Sequence, residues 1–265
     1  MKKILSKLSD LYMILLVLFL YIPVIYIIVF AFNDGNSMSQ WEGFSLRWFE
    51  TVFENRDMVN SIYTTFFIAI IATLISSILG TVAAIGLSKS RKVLRSAVEQ
   101  VNNLPVMNPD IVTAMGLLLF FTSLGVTKGY GTILLAHIMF CTPYVMLSVT
   151  PKLKALDPNL MDAALDLGAT PLYALCKVMI PQIKSGIASG AMIAFAMSFD
   201  DFVITDFVKG AGINNISTMV YTMKRKNPSI YALTTVVMLC ITVALIIINV
   251  TPIIKEKMKK KGEDQ

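Results

Sequence analysis

Charge is scarce in this sequence. Only 15% of its 265 residues are Asp, Glu, Lys or Arg, whereas 55% are apolar. A soluble domain is about a quarter charged, so water is the wrong solvent for most of this surface and lipid must cover it. Histidine is scarcer still. The single His137 cannot assemble the usual zinc sites, and no H-E-x-x-H occurs. Cys141, Cys176 and Cys240 are scattered with no C-x-x-C pair, which argues against a disulfide framework. No G-x-x-x-x-G-K-S/T phosphate loop is present, so the chain shows no nucleotide engine of its own. A G-x-S-x-G nucleophile elbow is missing too. These gaps leave no catalytic constellation and no cofactor site, and the chain reads as something other than an enzyme.

Long apolar runs are what the sequence does have. Crossing ~30 Å of hydrocarbon takes about 20 mostly apolar helical residues. Runs near 11–32, 61–88, 97–124 (broken), 131–150, 186–204 and 231–254 meet or approach that length. Backbone amides in hydrocarbon must bond within helices or a closed barrel. The alternating ten-residue segments of a barrel are absent. The expected fold is all-α, a polytopic membrane protein of six transmembrane helices forming one domain over 1–265. The first run exceeds the 7–15 residues of a signal-peptide core and no A-x-A site follows it. It reads as a retained signal anchor, with Asn33 to Gly35 turning the chain after it.

Lys and Arg set the orientation. Most of the 23 positive residues fall on one side: Lys2, Lys3 and Lys7; Lys89, Arg91, Lys92 and Arg95; Lys152, Lys154, Lys177 and Lys184; then Lys255, Lys257, Lys259, Lys260 and Lys261. The positive-inside bias puts both termini in the cytoplasm. The net charge of +6 is this topology signal and calls for no nucleic acid. Lys224, Arg225 and Lys226 run against the bias on the outer face. They are either a solvated charge run or a contact for an acidic extracytoplasmic partner.

The cytoplasmic stretch 156–184, between the fourth and fifth spans, carries the strongest local signals. Asp157 can cap a helix with Pro158 at its first position. Leu160, Ala164 and Leu167 then share a face, with Met161 and Leu165 beside them. Gly168 can take the left-handed conformation that ends a helix. Thr170 and Pro171 restart one, and Pro181 is expected to stop it. An apolar stripe outside the bilayer either enters a partner's groove or packs back on the protein's own spans.

Asp162-Ala163-Ala164, three residues, Gly168, nine residues and Val178-Met179-Ile180-Pro181 resemble the E-A-A-x3-G-x9-I-x-L-P loop. That loop belongs to the permease subunits of type I ABC importers. The departures are Asp for Glu, Val for Ile and Ile for Leu. The resemblance implies that 157–181, with Asp157, Asp162, Ala163, Ala164, Gly168 and Pro181, is the coupling helix docking on a cytoplasmic ABC ATPase. It also implies a multi-pass subunit of a bacterial inner membrane, a second homologous permease, two ATPase copies that bind the ATP, and an extracytoplasmic substrate-binding protein. Gly43-Phe44-Ser45-Leu46-Arg47-Trp48-Phe49 with Asn60-Ser61 is similar to the first outer loop of polyamine-type permeases. By itself this stretch is a short helix capped by Ser45, with Trp41 and Trp48 as interfacial anchors. Residues 191–210, with the pair Asp200-Asp201 after Ser198-Phe199, resemble the C-type permease of spermidine/putrescine importers.

Several acids fall within these spans. A carboxylate at the bilayer centre costs roughly 2.5–3.5 kcal/mol, so it should face a cavity or a partner. If 186–204 is one helix, Asp200 and Asp201 lie about 21 Å along it, and Ser198, Asp201 and Thr205 share a face from which Asp200 turns about 100° away. Asp201 is then the first candidate for a pathway lining, followed by Asp200, Asp110, Ser198, Thr205 and Asp206. Pro105 and Pro109 should break or kink the third span beside Asp110. The plainer alternative is that these acids only cap helix ends. His137 could move protons or touch a substrate, but a packed, hydrogen-bonded side chain is the commoner role for such a residue. Acids converging on a cavity would attract an ammonium-bearing polyamine. Another solute in the same machine, an ATP-independent carrier and a membrane-embedded enzyme are the rival readings.

Overall fold

A computed structural model describes residues 2–223, 227–243 and 246, with side chains from Asp10 onward. The cluster Lys224–Lys226, the basic tail and most of 244–254 lie outside the described residues. Among the described residues the chain is helical, and the only β pairing is an isolated bridge between Asn33 and Phe44. The helices are α1 (Lys2–Phe30), α2 (Arg47–Glu54), α3 (Arg56–Ser88), α4 (Lys92–Met107), α5 (Asp110–Ser123), α6 (Tyr130–Lys154), α7 (Leu160–Asp166) and α8 (Pro171–Tyr173). A π-helical turn at Ala174–Met179 joins α8 to α9 (Ile180–Asp200). Then come α10 (Val203–Val208), α11 (Ile216–Thr222) and a last helix, α12 (Ser229–Val243).

Among the described residues, four helical stretches are long and apolar enough to cross a bilayer: Asp10–Phe30, Arg56–Ser88, Tyr130–Lys154 and Pro171–Asp200. Counting α4 and α5 as one bent span makes five. α12, on the sixth expected run, is shorter over its described residues.

The chain divides into two compact units. The first comprises 1–59 and 220–265. Its centre of order is Asn33, buried just after α1. Asn33 donates to the carbonyls of Ser37 (3.1 Å) and Gln40 (2.8 Å) and accepts from the Glu42 N–H (2.7 Å). One amide thus closes the loop onto itself, since Asn can mimic both backbone groups. The Ser45 hydroxyl accepts from the Arg47 N–H (3.2 Å) as α2 begins, and the Arg47 guanidinium lies 4.3 Å over the Trp48 ring. Trp41 is exposed.

The second unit, Asn60–Met219, is built on α6. Ile133, Ala136, Phe140, Cys141, Val145, Met146 and Val149 of α6 are all buried. α9 lies against this helix through two glycines. A Cβ on Gly186 would stand 2.7 Å from the Lys152 Cγ, and one on Gly190 would stand 3.0 Å from the Val145 Cα. Small residues four apart let helix backbones approach where apolar burial gives little drive.

Two proline expectations need correcting, each for a local reason. The elbow in the third run forms at Asn108-Pro109 and not at Pro105, which sits inside α4. The residue before a proline is driven out of the helical region, and Asn108 is extended (φ −77°, ψ 142°). α4 and α5 therefore meet at 106°. Pro181 does not end a helix. It occupies the first turn of α9, directly after the π turn. Because hydrogen bonding there is already shifted to i→i+5, the missing N–H and the ring are accommodated and the helix continues.

Candidate functional site

α9 stops at Asp200, because Asp201 is extended (φ −64°, ψ 126°), and α10 restarts at Val203. The Asp201 carboxylate lies across the first turn of α10. Its Oδ1 accepts from the Ile204 N–H (3.1 Å), and its Oδ2 accepts from the N–H and the hydroxyl of Thr205 (both 2.7 Å). Its backbone carbonyl accepts from the Asn215 side-chain amide (2.6 Å). A carboxylate at a helix start satisfies donors that would otherwise be orphaned. Asp201 thus bonds the start of α10 and not the end of α9, and it also lies in the wall of a concavity.

That concavity measures about 470 Å³. It is lined by Pro105, Asp110, Thr113, Phe140, Tyr144, Met197, Asp200, Asp201 and Phe202, among others, and among the described residues by no Lys or Arg. It therefore brings together Asp110 from the first turn of α5 and the Asp200-Asp201 pair at the end of α9. Asp110 and Asp200 are exposed, and no hydrogen bond or ion pair holds either of them among the described residues. After the α9 break the two neighbours differ: both line the concavity, Asp200 exposed and Asp201 with its oxygens bonded to the start of α10.

Ser198 and Thr205 do not line the concavity. Both are buried and bonded to His137. His137 is 1% exposed, with Nδ1 2.7 Å from the Ser198 Oγ and Nε2 3.0 Å from the Thr205 Oγ1. The Asp201 Oδ2 stands 3.4 Å from Nε2. Proton bookkeeping orders this cluster. The one hydroxyl proton of Thr205 goes to Asp201, so the Thr205 oxygen receives the Nε2–H. The other ring nitrogen, Nδ1, is hydrogen-bonded to the Ser198 hydroxyl. Asn215, whose amide also reaches the Thr205 Oγ1 (3.3 Å), closes the cluster. Its bond to Thr205 was not legible in the sequence, where the local signal is only the start of α11: the Asn215 N–H donates to the Thr218 hydroxyl and the Thr218 N–H donates to the Asn215 Oδ1. Tyr144, Phe140 and Phe202 were likewise missed. Asp206 pairs with Lys209 at 2.9 Å and takes no part in the concavity.

The second candidate surface is the 157–181 stretch. Asp157 does not cap α7 directly. Its Oδ1 accepts from the Asn159 N–H (2.9 Å), and Asn159 is the residue before the helix. Pro158 and Asn159 form a turn first, so the helix starts later than the Asp-Pro pair suggests. At the other end Gly168 has φ +85°, and the N–H groups of Gly168 and Ala169 bond back to Leu165 and Ala164. This paired closure uses the left-handed residue that glycine supplies most cheaply. The Thr170 hydroxyl accepts from the Tyr173 N–H (3.3 Å) as α8 starts with Pro171. The apolar stripe splits. Met161 packs with Ala174 and Met179, and Ala164 packs against them, while Leu167 (90% exposed), Leu172 and Tyr173 face outward. Asp157, Asp162, Ala163, Gly168 and Pro181 are exposed as well.

Comparison with known proteins follows from this geometry. The chain is 31% identical to the spermidine/putrescine transport system permease protein PotC of Haemophilus influenzae, over 91% of this chain and 95% of that one. It is 34% identical to the putrescine transport system permease protein PotI of Escherichia coli K12, over 83% and 82%. A crystallised bacterial ABC transporter involved in import of the acidic polysaccharide alginate shares the fold. The TM-score is 0.75 at 17% identity, over 94% of this chain and 96% of that one. The family of binding-protein-dependent transport system inner membrane components matches residues 76–254. This is a family of transport permeases and not of enzymes, and its members are multi-pass proteins of the inner membrane. The apolar helices, the paired glycine closure at Gly168 and these matches agree: the chain belongs to the binding-protein-dependent transport system inner membrane components.

Proposed function

We propose that this chain is the permease subunit of a polyamine importer, carrying spermidine or putrescine through a pathway it forms with a second permease. The observation that carries the reading is the concavity where Asp110 and Asp200 stand among Phe140, Tyr144 and Phe202, with no Lys or Arg among the described residues of its lining. Carboxylates attract ammonium groups, and aromatic faces add cation–π attraction of about 0.5–2 kcal/mol each. Asp201 adds charge from behind while its oxygens hold α10. Two polyamine permeases among the relatives give the same direction.

In this reading both termini are cytoplasmic. An extracytoplasmic binding protein delivers the solute, and two ATPase copies engage the exposed face of Leu167, Leu172 and Tyr173. Closure of the ATPases on ATP moves the 157–181 elbow, and rigid-body rocking opens the pathway to one side and then the other. For a trivalent cation the membrane potential favours entry by ~7 kcal/mol per 100 mV. The work of ATP is then gating and one-way capture.

The test is uptake of radiolabelled spermidine and putrescine by the reconstituted assembly, with monoamines, sugars and anions as competitors. The double change Asp110→Asn with Asp200→Asn should raise half-saturation at least tenfold. Equal inhibition by an uncharged sugar, or unchanged uptake in the double variant, would remove polyamines from this site.

A further inference from the structure

The break between α9 and α10 is bridged by one imidazole. Ser198 lies in the last turn before the break and Thr205 in the first turn after it, and the two nitrogens of His137 reach both, at 2.7 and 3.0 Å. Asp201 lies within the break, and its Oδ2 receives the Thr205 hydroxyl. The ring comes from α6, the most buried helix of this unit, and it tilts against Phe140 at 5.0 Å between centroids. Phe140 is itself part of the concavity wall.

We infer that His137 is a positioning residue for cation recognition, a staple that fixes where the Asp200-Asp201 corner stands relative to Asp110. Three observations carry this. First, both ring nitrogens are used, and they reach residues on opposite sides of the interruption between α9 and α10, so one side chain ties both helix ends to α6. Second, the Thr205 oxygen accepts two donors, from His137 and Asn215, and gives its proton to Asp201. That pattern is satisfied only when Nε2 carries a hydrogen. Third, the cluster is sealed: His137, Ser198, Thr205 and Asn215 are each at most 5% exposed. A buried network with every member paired rigidifies the backbone it joins, and here that backbone bears the exposed Asp200. The ring itself does not line the concavity, and its hydrogen bonds act on it through the position of the Asp200-Asp201 corner. It rests on the acidic concavity of the proposed function but not on the identity of the solute.

The experiment uses the full assembled importer in a background where Cys176 and Cys240, the two exposed cysteines, are replaced by Ser. Thr113→Cys places a thiol on the concavity wall. The ratio of its reaction rates with a cationic and an anionic methanethiosulfonate reports the local negative potential. With His137 intact the cationic reagent should react at least tenfold faster. His137→Phe should cut that ratio at least fivefold, and His137→Gln, which keeps one donor and one acceptor, should recover most of it. Without the probe cysteine, His137→Phe should raise the half-saturation for radiolabelled spermidine tenfold, with the maximal rate within threefold of wild type. An unchanged ratio in His137→Phe, or equal losses in Phe and Gln, would overturn the proposal and reduce the ring to packing. Should His137→Phe fail to assemble, Ser198→Ala cuts one arm of the staple without removing the ring, and a wild-type ratio there overturns it equally. An importer that takes up no polyamine yet shows the expected ratios would sink the solute assignment alone.

Discussion

The two ends of α9 solve opposite problems. At its N-terminal end the chain turns through Gly168, Thr170 and the π turn, held by a small cluster of Met161, Ala174 and Met179, and it leaves Leu167, Leu172 and Tyr173 uncovered. At its C-terminal end it breaks at Asp201 and is fastened by five polar side chains with almost no exposed atoms. Apolar contact is non-directional and tolerates sliding, whereas hydrogen bonds fix angles. One end is suited to receive a push, and the other to hold a geometry. Between them, the glycine-lined contact with α6 makes the helix a single rod.

The largest effect should come from breaking that rod away from α6. Gly190→Leu puts a branched side chain where even a Cβ meets the Val145 Cα at 3.0 Å. Overpacking at backbone distance should cost about 3 kcal/mol or more, seen as loss of a monodisperse subunit on size-exclusion in detergent. Next is the fastened end. Asp201→Asn removes the charged acceptor of three donors and should lower stability by ~2 kcal/mol, read as an earlier thermal melt. Asp200→Asn beside it should leave the melt unchanged and raise only the half-saturation for spermidine. Equal melts for the two variants would erase the distinction between the neighbouring aspartates.

The open end should respond in assembly and not in folding. Leu167→Asp should leave the melt within ~0.5 kcal/mol of wild type, as at other exposed sites, while an ATPase partner no longer co-purifies. Retention of the partner would move the docking face elsewhere. The smallest effect is expected at Thr170. Losing its bond to the Tyr173 N–H should cost ~1 kcal/mol and slow transport-linked ATP hydrolysis modestly, with no change in solute affinity.

Much of this was legible in the sequence, and the rest failed for identifiable reasons. Gly168 and Thr170-Pro171 were readable because their signals act within one turn. Asn108-Pro109 was readable as a break for the same reason, since a proline constrains its immediate neighbour. Pro181 misled because the π turn that accommodates it has no sequence signature of its own. Asp157 misled because an Asp-Pro pair begins a turn as readily as a helix. The different settings of Asp200 and Asp201 were not legible because a helical wheel assumes an unbroken helix, and the break at Asp201 turns its carboxylate onto Thr205 and leaves Asp200 exposed. The link from Asn215 to the cluster could not be found, since Thr205 and Asp201 are 10 and 14 residues away in chain and meet it only through the fold, whereas its bonds to Thr218 are local.

The π turn at Ala174–Met179 has a geometric sequel. An i→i+5 turn holds one residue more than the regular spiral, which advances about 100° per residue. The faces of α8 and α9 are therefore out of phase by roughly that angle, and Leu172 and Tyr173 look in a direction that a uniform wheel drawn from α9 would assign to their neighbours. Excising a single residue between 174 and 179 would restore the phase and swing those two side chains around the axis. A shortening of one position there is thus, in effect, a rotation of everything upstream.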